Sequence, residues 1–121
     1  MRSIKEMLVN LNCENFLECF YGLNEADVEI FRNLVELGEA RIEDLSLTVK
    51  KSENTVYKSL QKLLVAGLVI RDKKLIDGGG YYYTYKPVDV KGIVVEMHKT
   101  LDEWYAKIKS TIDEFAKEFK A

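Results

Sequence analysis

The spacing of apolar positions changes twice along the chain, and the changes divide it. Near the start, Ile4, Met7, Leu8 and Leu11 recur at helical spacing, and an Asn-rich interruption at Asn10, Asn12 and Asn15 then precedes Phe16, Leu17 and Phe20. The pattern predicts one broken helix or two short ones, ended by Gly22. Asn24 is placed to cap a helix with Glu25 and Asp27 in its first turn, where acids favour the positive end of the helix dipole. Its apolar face is Val28, Ile30, Phe31, Leu34 and Leu37, and Gly38 suits its C-terminal cap. Ile42, Leu45 and Val49 mark a short helix opened by Glu43 and Asp44 and followed by Lys50 and Lys51. After a tight turn Ser52 can cap a further helix, with Val56, Leu60, Leu63 and Leu64 on one stripe and Gly67 past its end.

Beyond Gly67 the helical period stops. Leu68, Val69 and Ile70, followed by Arg71 and Asp72, read as a strand, and Tyr81, Tyr82, Tyr83, Thr84 and Tyr85 as a second one that Pro87 stops. Asp77, Gly78, Gly79 and Gly80 between them permit a tight turn, so the pair is a hairpin. From Asp89, the expected N-cap, apolar residues recur every third or fourth position at Val90, Val94, Met97, Leu101, Trp104, Ile108, Ile112, Phe115 and Phe119. About eight turns of helix, roughly 45 Å long at 1.5 Å per residue, exceed what so small a domain can cover. A second copy of the same helix is the simplest partner, because twofold homodimers are the commonest assembly.

Length and composition fit one folded domain with an extension. At 121 residues and 47% hydrophobic, the chain can pack a core without a metal or disulfide. No window approaches the apolar length of a membrane span, and the start Met-Arg-Ser-Ile-Lys-Glu lacks the apolar stretch of a secretory signal, so the cytoplasm is the expected location. The net charge of −2 hides an uneven distribution. Residues 1–49 hold four basic and ten acidic side chains, residues 50–74 seven basic and two acidic, and residues 75–121 seven and eight. Lys50, Lys51, Lys58, Lys62, Arg71, Lys73 and Lys74 form a basic cluster of the kind a phosphate backbone attracts, although a solvated basic face would look the same.

Catalytic chemistry finds little support. Cys13, Cys19 and His98 would have to supply nucleophile, base and orienting partner without any recognisable motif. The two cysteines are too few for a disulfide framework and read as reduced, half-buried thiols, and one histidine hardly completes a metal site. No catalytic residue, metal or cofactor is expected. The glycine run lacks a following helix start and a Gly-Lys-Ser or Gly-Lys-Thr, which leaves it as a hairpin turn rather than a phosphate loop. In a period-two strand Tyr81, Tyr83 and Tyr85 share one face and Tyr82 and Thr84 the other, so at least one face is expected in the core rather than stacking on bases.

The order helix, short helix, turn, helix, hairpin is that of a winged helix-turn-helix, in which the second helix of the pair enters the major groove. The run Ser52-Glu53-Asn54-Thr55-Val56-Tyr57-Lys58-Ser59-Leu60-Gln61-Lys62-Leu63, with Ala66-Gly67-Leu68-Val69 after it, resembles the archaeal TrmB-type and MarR-type regulators over about residues 24–88. The outward stripe of this helix is expected to hold Asn54, Thr55, Lys58, Gln61 and Lys62. Asn and Gln can pair with adenine, Thr can touch a thymine methyl or a phosphate, and Lys can reach guanine or the backbone. For Tyr57 the resemblance implies a phosphate-contacting hydroxyl, while its position beside Val56 also allows half-burial. Lys73 and Lys74, running toward the hairpin tip, are expected to touch DNA without reading sequence.

The expected fold class is therefore mainly α (α+β): a winged helix-turn-helix over residues 24–88, an N-terminal helical segment over 1–23 that assists dimerisation, and a C-terminal dimerisation helix over 89–121. Residues expected to contact DNA are Lys50, Lys51, Ser52, Asn54, Thr55, Tyr57, Lys58, Gln61, Lys62, Lys73 and Lys74. Val94, Met97, Leu101, Trp104, Ile108, Ile112 and Phe115 are expected to form the dimer interface, giving a homodimeric regulator on a pseudo-palindromic operator in double-stranded DNA. One alternative is a winged-helix protein-protein interaction module in a transcription or assembly complex, for which the basic cluster has no use. Another adds a redox switch at Cys13 and Cys19 to DNA binding. TrmB-like regulators often carry a C-terminal sugar-binding domain, and this sequence departs from them by ending at one helix; neither resemblance singles out a small-molecule effector here.

Overall fold

The computed structural model describes residues 3–13 and 15–120. The elements in order are α1 (Ile4–Asn10), α2 (Phe16–Tyr21), α3 (Glu25–Leu37), α4 (Ile42–Val49), α5 (Glu53–Val65), β1 (Val69–Leu75), β2 (Tyr81–Pro87) and α6 (Val90–Glu118). They fall into two compact units, residues 1–88 and 89–121.

The break between α1 and α2 is held by asparagine side chains. The Asn12 backbone N–H donates to Asn15 Oδ1 at 2.9 Å, the Asn15 N–H donates to Asn12 Oδ1 at 3.1 Å, and Asn15 Nδ2 donates to the Asn10 carbonyl at 2.8 Å. Short polar side chains thus give the backbone partners other than helical ones, which ends α1. At α3 the cap is reciprocal: the Asp27 N–H donates to Asn24 Oδ1 at 2.8 Å and the Asn24 N–H to Asp27 Oδ2 at 2.9 Å, a capping box with Asp in the third position.

Helices α3, α4 and α5 surround the core. Ile30, Leu34, Leu45, Val56, Leu60, Leu63 and Leu68 are fully enclosed, each such side chain contributing about 1.5–3 kcal/mol over its exposed state. Some expected core positions differ: Leu37 is 49% exposed, and Phe31, Ile42 and Leu64 are only half-buried. Asp27, expected only to complement the dipole of α3, is 1% exposed. Its Oδ1 accepts from the Ser59 hydroxyl at 2.6 Å, and its Oδ2 carries the Lys62 ammonium, so one carboxylate ties α3 to α5. Burial pushes the Asp27 pKa up, but Lys62, Ser59 and the Asn24 backbone outweigh it and hold the carboxyl below its usual value.

The two strands pair antiparallel from Val69 opposite Pro87 to Leu75 opposite Tyr81, so both are longer than their apolar residues alone suggest and β2 runs through Pro87. Gly78, Gly79 and Gly80 all have positive φ, from 89° to 119°, where a side chain would be strained. The sheet gains a third contributor at one residue: Ala40 bridges Tyr85 through hydrogen bonds of 2.9 and 2.8 Å, fixing the α3–α4 connection to the hairpin. In the second unit, α6 runs 29 residues, about 44 Å at 1.5 Å per residue. Asp89 occupies its N-cap position without a capping side-chain bond. No helix among the described residues is long and apolar enough to cross a membrane.

Asp27→Ala should destabilise the fold by about 3 kcal/mol in urea unfolding, since it removes the acceptor for a buried hydroxyl and an ammonium together. A carboxyl whose pKa is lowered in the fold stabilises it above the unfolded value of about 3.9, and that contribution fades as pH falls through the folded value. Wild-type stability should therefore decline below about pH 4 more steeply than that of Asp27→Asn.

Candidate nucleic-acid interface

Helix α5 is the second of a pair joined by Lys50, Lys51 and Ser52, and its surface is set by which face the core takes. With Val56, Ser59, Leu60 and Leu63 inward, Asn54, Thr55, Tyr57 and Lys58 are left on the exposed side of its first two turns. Lys50 adopts the left-handed conformation at φ 57°, which turns the chain sharply after α4. The Ser46 hydroxyl donates to the Lys51 carbonyl at 2.5 Å and secures that turn. The Ser52 side chain is used internally: it accepts from the Thr55 N–H at 3.1 Å as the N-cap and donates to Thr55 Oγ1 at 2.9 Å. Asn54 and Lys58 make no side-chain hydrogen bond or ion pair among the described residues.

Other residues of the expected stripe are placed otherwise. Lys62 is committed to Asp27 rather than projecting as a mobile cation. Gln61 is half-buried, its Nε2 is enclosed without a hydrogen-bond partner among the described residues, and it lines a largely apolar cleft of about 350 Å³ with Tyr21, Leu23, Lys62, Val65 and Ala66. The reason lies nearer the N-terminus: Tyr21 of α2 and Leu23 of the α2–α3 connection stand beside the flank of α5 that a reading of α5 alone leaves open. On the hairpin, Lys74 approaches Glu39 at 3.6 Å, while Lys73 stays outside with its ammonium 4.2 Å from the centre of the Tyr81 ring.

Strand alternation sorts the hairpin into two chemical faces. One carries Asp72, Lys74, Thr84 and Lys86 and is closed by internal pairs: Lys86 to Asp72 at 2.9 Å, and the Thr84 hydroxyl donating to Glu39 at 2.7 Å. Thr84 chiefly, aided by Lys74 and Lys86, holds the Glu39 carboxyl below its ordinary range, and Lys86 does the same for Asp72. The other face carries Arg71, Lys73, Tyr81, Tyr83 and Tyr85. Tyr85 is buried, as expected of one face, and its hydroxyl pKa is raised by that burial against the opposing pull of Arg71. Arg71 stacks 4.1 Å above the Tyr83 ring and Arg41 4.3 Å above the Tyr82 ring.

Between this hairpin and the helices lies a groove of about 460 Å³, lined by Arg41, Ile42, Glu43, Tyr57, Arg71, Tyr81, Tyr82, Tyr83 and Tyr85. Arg41 was missed by sequence reasoning because it stands outside the basic cluster and beside two acids. Its pairing with Tyr82 depends on the Ala40 bridge, for which one residue gives no pattern. Tyr57 is 45% exposed, so its ring faces this groove more than the core.

The expected interface residues of α6 occupy one stripe. At 100° per residue Val94, Met97, Leu101, Trp104, Ile108, Ile112 and Phe115 fall within an arc of about 80°. Leu101 and Trp104 are nearly half exposed, and Ile112 and Phe115 are each 60% exposed. His98 is exposed on this helix, Cys13 is exposed rather than half-buried, and Cys19 is half-buried. No group of three or more His, Cys, Asp or Glu positioned for a metal ion occurs among the described residues.

A family model described as "Sugar-specific transcriptional regulator TrmB" matches residues 17–91. Two uncharacterized proteins of Methanocaldococcus jannaschii are similar in sequence. One is 29% identical over 101 residues, covering 84% of this chain and 76% of its own length, and the other is 30% identical over 116 residues, covering 93% and 96%. Among solved structures, a possible transcriptional regulator from Methanosarcina mazei superposes with a TM-score of 0.73 at 24% identity, over 86% of this chain and 88% of that one. The ST1889 protein of Sulfolobus tokodaii gives 0.62 at 25% identity, over 82% and 93%. A MarR family regulator from Silicibacter pomeroyi shares the fold at 0.50 and 15% identity, over 88% and 77%. The architecture is that of a winged helix-turn-helix with a long C-terminal helix.

Lys62→Ala should lower stability by about 1–2 kcal/mol, less than a wholly enclosed pair because the lysine is half exposed. Chemical denaturation alongside Lys58→Ala checks it: the two lysines should separate, with Lys58→Ala close to wild type.

Proposed function

We propose that this chain, which belongs to the TrmB family of transcriptional regulators, is a homodimeric regulator that binds double-stranded DNA sequence-specifically through α5 and the hairpin. The observation that carries the reading is the exposed first half of α5. There Asn54 and Lys58 project beside Tyr57 without internal partners, at the end of a helix-turn-helix where a major groove would be met. Asn54 reads a base edge, Lys58 neutralises phosphate or meets guanine, and the Thr55 methyl is available to thymine. Lys50, Lys51 and Lys73 are positioning contacts to the backbone. Ser52, Gln61, Lys62 and Lys74 are left out, because the fold already uses or encloses them.

The second copy pairs along α6. Its apolar stripe repeats at three and four residues for about eight turns, the spacing that lets one helix interlock with another. A twofold pair would present two α5 helices to successive major grooves, about 34–36 Å apart, and would call for a pseudo-palindromic operator.

Fluorescence anisotropy of labelled random-sequence duplex DNA should show micromolar binding that weakens steeply with salt, and Lys58→Ala should lower the salt slope by about one. On a selected operator, Asn54→Ala should change which base is preferred at one position. If no binding occurs even at low salt, the DNA reading is wrong. Light scattering should give a dimer for the full chain and a monomer for a chain truncated after Pro87; an equally dimeric truncation would remove α6 from the interface.

A further inference from the structure

The tip of the hairpin carries a reactive pair that DNA binding does not use. Asp77 is followed by Gly78, and no other aspartate and no asparagine of the chain precedes a glycine. The pair forms the middle of a turn in which the Gly79 N–H donates to the Ile76 carbonyl and the Ile76 N–H donates to the Gly80 carbonyl, both at 3.1 Å. Asp-Gly suits such a turn because Gly78 takes φ 92°, where a side chain would be strained. Residues 75–80 are all exposed, and the space beside the Gly78 Cα is open. Among the described residues the Asp77 carboxyl makes no hydrogen bond or ion pair, and the Gly78 N–H has no acceptor. A carboxyl able to rotate thus stands next to an amide nitrogen that neither a Cβ nor an acceptor shields. The other aspartates are held differently. Asp27 is buried with both oxygens engaged, and Asp72 pairs with Lys86 within β1. Asp44, Asp102 and Asp113 lie in helices, whose backbone keeps the carboxyl away from the following nitrogen, and Asp89 precedes the branched Val90.

We propose that Asp77 is a self-modification site, converting to isoaspartate through a succinimide closed with Gly78 while the protein stays folded. The Gly78 nitrogen attacks Cγ of the neutral carboxyl. The N–Cγ bond forms, the Cγ–OH bond breaks, and the hydroxyl leaves with the amide proton as water. Water then adds at one of the two ring carbonyls. Opening the ring at Cγ restores aspartate, whereas opening it at the main-chain carbonyl carbon leaves the chain running through Cγ, with the carboxylate on Cα. One water leaves and one returns, and nothing is oxidised or reduced. The product gains one methylene in the main chain between Ile76 and Gly78, inside the loop that both turn hydrogen bonds close. The strand pairing from Val69 opposite Pro87 to Leu75 opposite Tyr81 ends before the modified residue, so the tip changes and the register does not. Loop tips tolerate such a change better than the elements they join. The folded chain therefore accumulates a second form with age, altered at one residue of the hairpin.

The test ages the full chain for weeks in mildly acidic buffer, well below its unfolding midpoint, and maps tryptic peptides by liquid chromatography and mass spectrometry. The peptide of residues 75–91 should split into two species of equal mass. The new one should co-elute with a synthetic isoaspartyl standard and resist an endoprotease that cuts before aspartate, and a minor species lighter by one water should mark the succinimide. Conversion at Asp77 should run several times faster than at any other aspartate. Asp77→Glu, whose ring would need six members and closes far more slowly, should leave this peptide single; matching unfolding midpoints for variant and wild type would show that the substitution acts on the chemistry and not on the fold. A synthetic peptide of residues 75–91, aged in parallel, separates the sequence from the fold. If the peptide converts and the folded protein does not, the turn blocks ring closure and the proposal is wrong. Equal conversion at the other aspartates would also overturn it, since the tip would then confer no selectivity. Neither result depends on whether the protein binds DNA.

Discussion

Everything functional in the winged domain depends on a carboxylate with almost no contact with water. Asp27 caps its own helix, receives the Ser59 hydroxyl and holds the Lys62 ammonium, so α3 cannot rotate or slide relative to α5 without breaking several charge-assisted bonds. Hydrophobic contacts among Ile30, Leu34, Leu60 and Leu63 would tolerate small slips, because apolar packing is not directional. The buried acid supplies the missing direction. By fixing the roll of α5 it decides that Ser59 faces in and that Asn54 and Lys58 face out.

The same economy governs the rest of the basic segment. Residues 50–74 carry five more basic than acidic side chains, yet the fold uses Lys62 and Lys74 within itself. What remains is concentrated on the start of α5 and on one face of the hairpin. A chain with net charge −2 therefore presents a positive surface where the helix-turn-helix and the hairpin meet, while its acids are spread over α3, α4 and α6. The backing face of the hairpin, closed by Glu39, Asp72, Lys74 and Lys86, keeps that positive surface turned one way.

Element order and type were legible from the sequence, because period, caps and glycines agree at each boundary: Asn24, Ser52 and Gly38 all stand where the helices begin or end. The resemblance of residues 52–69 pointed to the right family for the same reason, since it spans the cap, the core stripe and the entry into β1. The site was less legible. A single-helix view sees Gln61 and Lys62 as outward, but Gln61 lies beside Tyr21 and Leu23, 40 and 38 residues back in the chain, and Lys62 is held by Asp27, 35 residues back. Long-range polar pairing has no period to betray it. Arg41 escaped notice likewise, because its groove exists only through the Ala40 bridge to Tyr85.

Cations resting on rings have a thermodynamic consequence. A free arginine or lysine gives up about 1.5–2 kcal/mol of rotamer entropy when it is immobilised on a partner. Arg71 over Tyr83 and Lys73 over Tyr81, on one face of the hairpin, have surrendered part of that freedom during folding. An anion arriving at this face meets side chains already confined near their binding geometry, so less of the attraction is lost to ordering them. The run of tyrosines, which as sequence looks like material for stacking bases, acts in the fold as a preorganised mounting for positive charge.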